Sequence, residues 1–506
     1  MELRELAELR EDAAVLAGLL ARVEWARASG RPIDFELRLV LREHRAATSR
    51  DGLSQVGEEL ERASSDEKAG RLARLSALRE FLVRVRVLDL DPGTAQELWE
   101  LPRRGAVRPS GDAGLHGALP EVQVERELPL VRSRDRRAEL EQALAEAARE
   151  ETGPRSAAWD ASIEALGELQ LGDPREASIA LQARGWAADS GPAAAAEHLL
   201  IATQALASDL GRWLLERHTT AKAFPGDAER HDVLHFIHAP HFASAFPRGE
   251  LLRTCRRWAE MLRLDLSALK LDEDERPLKP SGARVVALDP PDEVRVSLWP
   301  AEGPRALGEL LGAISVAQLR RGPTDDVPPE DLWFGDAGVP HACAALLAGL
   351  VCDPLWLRRC AHADLSRDDE RALAYASVLD ARLAAARTLS SLHALESGFG
   401  ARADEAHREL FARATGAAIP TALAARELSP FLDPWAELRG RSLAAHVRAF
   451  LRERFDEDWW RNPRALASLR ALWGRGGRPT VPELWAELGG APSTAPLEAW
   501  LAELCA

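Results

Sequence analysis

The chain has 506 residues, 46% hydrophobic and 29% charged, a globular composition with enough apolar content for one large core or two or three packed lobes. Its net charge of −15 argues against nucleic acid or an anionic membrane as the main partner, since both require clustered Lys and Arg. Five irregularly spaced cysteines make no disulfide framework and suit a reducing compartment. The N-terminus, MELRELAELREDAAVLAGLL, carries acids where a signal peptide needs a basic start, and the longest apolar run, Ala342 to Cys352, is too short to span a bilayer. The expected location is the cytoplasm.

Taken in chain order, Leu and Ala recur at helical spacing almost everywhere. Leu3, Leu6, Leu9, Ala13, Leu16, Leu20 and Val23 share one face of a helix over 2–28, and Leu72, Leu75, Leu78, Phe81, Leu82 and Val85 repeat the pattern over 69–89. The stretch between them, DGLSQVGEELERASSDEKAG, reads as a break at Gly and Ser. Residues 101–125, rich in Pro and Gly, form a loop and the best candidate boundary, giving an N-terminal helical lobe over 1–110 and a larger helical domain over 111–506 that can pack against it as one body. Helical patterns follow at 136–150, 156–170, 175–188, 193–219 and 228–239. Residues 283–299, ARVVALDPPDEVRVSLW, alternate as two extended runs around a DPPD turn and predict a β-hairpin. Helices return at 304–321, 340–360, 367–396, 402–415, 438–455 and 463–474, with a small helical unit over 481–504. The fold class is all-α with one small β-element.

Four segments resemble the zinc oligopeptidase superfamily that includes thimet oligopeptidase, oligoendopeptidase F and the Taq-type carboxypeptidases. They are DVLHFIHAPHFASAFPRGELL (232–252), PPDEVRVSLWP (290–300), FGDAGVPHACAALLAGLVCDPLWL (334–357) and RERFDEDWWRNPRALASLRALWGRG (452–476). The resemblance implies a two-lobed helical clamshell with a deep cleft, lined by the hairpin, whose edge can take an extended peptide as an added strand. Val294, Val296, Leu298 and His341 are the peptide-binding candidates on that basis.

The resemblance also implies H-E-x-x-H on the helix after the hairpin, with two imidazoles on zinc and the Glu as general base. That helix reads PRALGELLGAISVAQLRR, and no histidine lies between His241 and His341. No His-Glu dipeptide occurs anywhere in the chain. Leu310 and Ile314 stand where ligands belong, Leu311 where the base belongs, and His341 near the place of the acidic third ligand. The late-helix tyrosines of the family are absent from LDPWAELRGRSLAAHV (432–447), and the single Tyr375 reads as core or cleft wall.

Other groupings have structural readings beside the functional ones. His231, His235 and His238 share a helix face in a metal-compatible spacing, or form a polar face near the cleft rim. His341, Cys343, Cys352, Cys360 and His362 lack C-x-x-C spacing and read as buried small residues. The acidic run LDEDERPLKP (271–280) reads as a solvated loop, and Trp459-Trp460 as packing for the C-terminal unit. A Ser-His-Asp arrangement is not decided by sequence. The expected function is that of a catalytically inactive, zinc-oligopeptidase-like protein without a cofactor, binding a peptide or pairing with an active paralogous peptidase subunit. The alternative is an active hydrolase or zinc metallopeptidase using a non-standard site in the same cleft.

Overall fold

The computed structural model describes residues 2–63, 69–108, 118–183, 186, 191–219, 227–323 and 327–506. It is mostly helical. The helices used below are α1 (Glu2–Ser29), α2 (Arg50–Ala63), α3 (Ala69–Leu90), α4 (Arg134–Glu150), α5 (Thr152–Glu168), α6 (Pro192–Ala202), α7 (Arg230–His238), α8 (Arg248–Met261), α9 (Pro304–Arg321), α10 (Gly338–Ala348), α11 (Arg367–Ser397), α12 (Ala401–Thr415), α13 (Asp433–Phe455), α14 (Pro463–Trp473), α15 (Val481–Leu488) and α16 (Ala495–Cys505). Where a boundary loop over 101–125 is expected, Leu101–Arg103 form a 3₁₀ turn, β1 (Gly105–Val107) pairs with β2 (Leu119–Pro120) as a two-stranded ribbon, and a short helix begins at Glu121; residues 109–117 lie outside the described residues.

The apolar periodicity of α1 and α3 is realised in packing. Leu9, Ala13, Leu16, Leu75, Leu78, Leu82 and Val85 are all buried. Of the stretch read as a break (51–70), residues 51–63 belong to α2 and 69–70 to α3, while 64–68 lie outside the described residues; Gly52 allows the close approach of α2 to Ala46 O, which a methyl would meet. One contiguous apolar cluster runs from Leu6 to Cys505, so the N-terminal segment shares its core with the rest. Long α11 is rich in Ala at its buried positions (Ala372, Ala374, Ala381, Ala384, Ala385, Ala386), which lets α6, α12, α13 and α16 pack closely around it.

The predicted hairpin is present as β4 (Ala283–Asp289) and β5 (Glu293–Leu298), antiparallel, with Val285 opposite Val296. A third strand, β3 (Lys270–Asp272), pairs parallel to β5, giving the order β3-β5-β4. It lies in the acidic run expected to be a solvated loop. Glu273, Asp274 and Glu275 are exposed, but Asp272 is held by Arg276 and by the fully buried Lys279. Helix α1 covers one face of the sheet, where Trp25 and Ala28 meet Val286.

The run Ala342–Cys352 does not form one helix. Helix α10 ends at Ala348 and a single 3₁₀ turn continues to Cys352, with Gly349 against the Trp500 ring. Leu346, Leu347 and Leu350 there are buried in the core.

Candidate functional site

A groove lies between α3 on one side and the end of α9 and the start of α10 on the other. Its open end is lined by Glu80, Phe81 and Arg84 of α3, Arg320 of α9, Phe334, and His341 of α10. Phe81 and Phe334 stack there with ring centroids 4.4 Å apart.

Helix α9 decides what the groove can do. Its Pro at the first position and Gly303 before it start the helix cleanly. Gly308 and Gly312 face α10, where methyls would sit 3.5 Å from Ala348 O and 3.2 Å from Ala344 O, so the two helices pack almost backbone to backbone. Leu310, Leu311 and Ile314, read from sequence as the degenerate site positions, are 1%, 0% and 2% exposed. They are core residues. A half-buried stripe lies beside them, Arg305, Glu309, Val316 and Arg320, of which Arg320 lines the groove.

Ion pairs link this stripe to α11 and α13. Arg305 bonds Glu309 at 2.9 Å and Asp380 of α11 at 2.5 Å. Arg441 of α13 bonds Glu437 at 2.8 Å and lies 3.6 Å from Asp380. Burial alone would raise the carboxyls of Asp380 and Glu437, yet the guanidinium groups hold both below the usual carboxylate range. His341 sits among these charges. Desolvation by the surrounding protein lowers its imidazole below the usual histidine range, with Glu437 opposing and Arg441 adding to the shift. Helices α10 and α13 touch at this point: a methyl on Gly440 would lie 2.5 Å from His341 Cβ and 2.6 Å from Gly338 O.

The hairpin candidates are not in the groove. Val294, Val296 and Leu298 are buried, and β5 is hydrogen-bonded on both sides, so the edges of this sheet are β3 and β4. The three histidines of α7 do not converge on one point. His231 pairs with Glu229 at 2.9 Å, His235 donates through Nδ1 to Pro129 O at 2.8 Å, and His238 to Leu234 O at 2.9 Å. Among the described residues the group whose ligand atoms could surround a cation is Glu141, Glu229 and His231. Its members already serve each other: Glu141 accepts from Arg230 and from the His231 amide.

The cysteines are dispersed and buried, and burial pushes Cys343 up to about 12 and Cys352 and Cys360 to about 11. His362 occupies a left-handed turn after a π-helical turn. Tyr375 is 1% exposed, in the core. Trp459 and Trp460 are buried as expected, with Trp460 Nε1 donating to Asp353 at 3.1 Å. A serine–histidine–carboxylate array does occur. His407 lies 2.9 Å from Ser390 Oγ and 3.4 Å from Glu427. Ser390 and His407 are both 0% exposed, and the serine hydroxyl donates to Ala386 O of its own helix, so no substrate reaches it. The sequence held no local signal for this array or for the Arg305–Asp380–Arg441 network, since their members lie on helices far apart in the chain.

Helices packed around a small mixed sheet, with a groove bordered by the helix that follows the hairpin, form a fold shared with several solved peptidase structures. Among solved structures, the chain is similar to the M32 carboxypeptidase of Deinococcus radiodurans R1 (15% identity, 100% of this chain and 99% of that chain covered, TM-score 0.57) and to metallocarboxypeptidase 1 of Trypanosoma cruzi (11%, 99% and 99%, 0.60). It is also similar to PZ peptidase A crystallised with an inhibitor (12%, 92% and 86%, 0.61). At these identities the likeness is one of fold. No family model and no curated protein matches the chain.

Proposed function

We propose that this chain uses a peptidase scaffold without peptidase chemistry, and holds a peptide segment, or a partner's segment, in the groove uncut. The observation that carries this reading is the lining of α9. Where a zinc peptidase needs imidazole nitrogens and a general base, this helix offers Arg305 and Glu309, tied to each other, and the aliphatic Leu310, Leu311 and Ile314 are sealed in the core. The remaining carboxylates, Asp380 and Glu437, each already hold a guanidinium. A cation would have to break these ion pairs before finding ligands, and His341 alone cannot retain zinc.

A pairing with an active relative uses the same groove or the surface around it. The test is zinc content of the purified protein together with cleavage of a quenched fluorescent peptide library, with and without added zinc. Substoichiometric zinc and no chelator-sensitive cleavage are expected. About one zinc per chain with cleavage abolished by chelator would overturn the proposal.

A further inference from the structure

The charged groups of the groove are almost all paired. Arg84 bonds Asp433 at 2.7 Å and Glu80 at 3.1 Å. Glu80 also accepts from Gln182, and Asp336 is held by Arg439 at 2.7 Å and by the Gly338 and Val481 amides. Arg320 is different. Among the described residues its guanidinium has no hydrogen bond and no ion pair, although it lines the groove end. Glu24, the carboxylate that acts on it most, does not come within ion-pair distance. The surrounding protein depresses the guanidinium through desolvation. Removing such a group from bulk water without a counter-ion is costly, and an incoming anion recovers that cost.

Two neighbours shape what the anion is attached to. The Phe81–Phe334 stack lines the same pocket and offers an apolar wall. His341, also on the pocket wall, makes no side-chain hydrogen bond among the described residues and is available as a second donor. A bare inorganic anion would use Arg320 and leave the aromatic wall uncovered. A carboxylate beside an aromatic or large aliphatic group uses both.

We infer that Arg320 forms a carboxylate-recognising subsite of the groove, selecting peptides in which a carboxylate stands next to an apolar side chain. The inference rests on the peptide-holding reading above and specifies its ligand. The carboxylate comes either from an Asp or Glu side chain or from a free C-terminus, and the geometry of a guanidinium serves both.

The experiment measures binding of three capped probes by isothermal titration calorimetry: N-acetyl-Phe-Glu-amide, N-acetyl-Ala-Phe with a free carboxylate, and N-acetyl-Ala-Phe-amide. Each is titrated into the wild type and into Arg320→Met, which keeps an unbranched apolar stem and removes the guanidinium with its charge and donors. Because Arg320 has no protein partner to lose, the variant is expected to keep the wild-type melting temperature, and circular dichroism checks this. At least one carboxylate probe should bind on the order of tenfold more tightly than the amide, and Arg320→Met should reduce that preference to within about twofold. Which carboxylate probe shows the preference identifies the source. Equal binding of all three probes, or a preference unchanged in Arg320→Met, overturns the subsite while leaving peptide holding intact. Absence of binding by every probe overturns the subsite and the peptide reading together. Chelator-sensitive cleavage of the probes would sink the uncut-peptide reading alone, since the carboxylate preference is still read from affinity.

Discussion

Arg382 shows how single side chains organise this fold. It is 0% exposed, yet among the described residues no carboxylate pairs with it. Its guanidinium donates to Leu200 O and Thr203 Oγ1 at the end of α6, to Arg413 O and Ala414 O at the end of α12, and to Gln204 Oε1. Burial lowers it to about 10, but it stays charged at pH 7. The carbonyl ends of two helices supply the negative potential that a carboxylate would elsewhere. Arg382→Met should therefore leave several buried acceptors unmet and lower the unfolding free energy by about 3 kcal/mol or more, measured by urea denaturation. His235 gives a pH signature. Burial, reinforced by the charge of Arg137, depresses it to about 4, while its Nδ1 proton is committed to Pro129 O. An unfolded histidine titrates near 6.5, so between about pH 6.5 and pH 4 the unfolded chain binds the extra proton. Stability contributed by the neutral ring is full above pH 6.5 and falls on acidification, by up to about 1.4 kcal/mol per pH unit. In His235→Asn, which can still donate to Pro129 O, the slope of unfolding free energy against pH should flatten across this window.

At the level of elements, helix crossings set the sharpest constraints. The approach of α10 to α13 at Gly440 leaves no room for a methyl, since backbone atoms of Gly338 and Ala342 lie within 3 Å of where it would be. Gly440→Ala should cost about 1–3 kcal/mol and displace His341. Gly57 of α2 has nothing within 4 Å of a methyl position, so Gly57→Ala should stabilise by about 0.5–1 kcal/mol. Melting temperatures of the two variants, shifting in opposite directions, check the pair. These elements also show what the sequence could convey. Helix α9 spans 304–321 as its periodicity predicts, α11 ends within a residue of prediction, and the β4–β5 pair sits where alternation and the DPPD turn place it. Three residues of β3 in an acidic run carry no alternation to detect, and α8 was hidden by charged residues on most of its turns. The absence of histidine from α9 was legible because it needs only residue identity. Which side of α9 meets the groove was not, because Gly308 and Gly312 turn the helix by packing against α10, a contact no local pattern records.

Across the whole molecule, one apolar cluster joins the first helix to the last. Helix α1 lies on the sheet, α3 packs on α5, and Glu330 receives Arg10. A single cooperative thermal transition follows, seen alike by tryptophan fluorescence and circular dichroism. Two resolved transitions would instead assign residues 1–110 a separate core. The five thiols are spread through this shared interior, at Cys255, Cys343, Cys352, Cys360 and Cys505, and burial raises every one of them. None exists as thiolate in the native state near neutral pH, so an alkylating reagent finds nothing to modify until the chain opens. Their labelling rate is thus an intrinsic clock for opening of the interior, and the native surface is a blank background on which an engineered cysteine near the groove could carry a reporter dye.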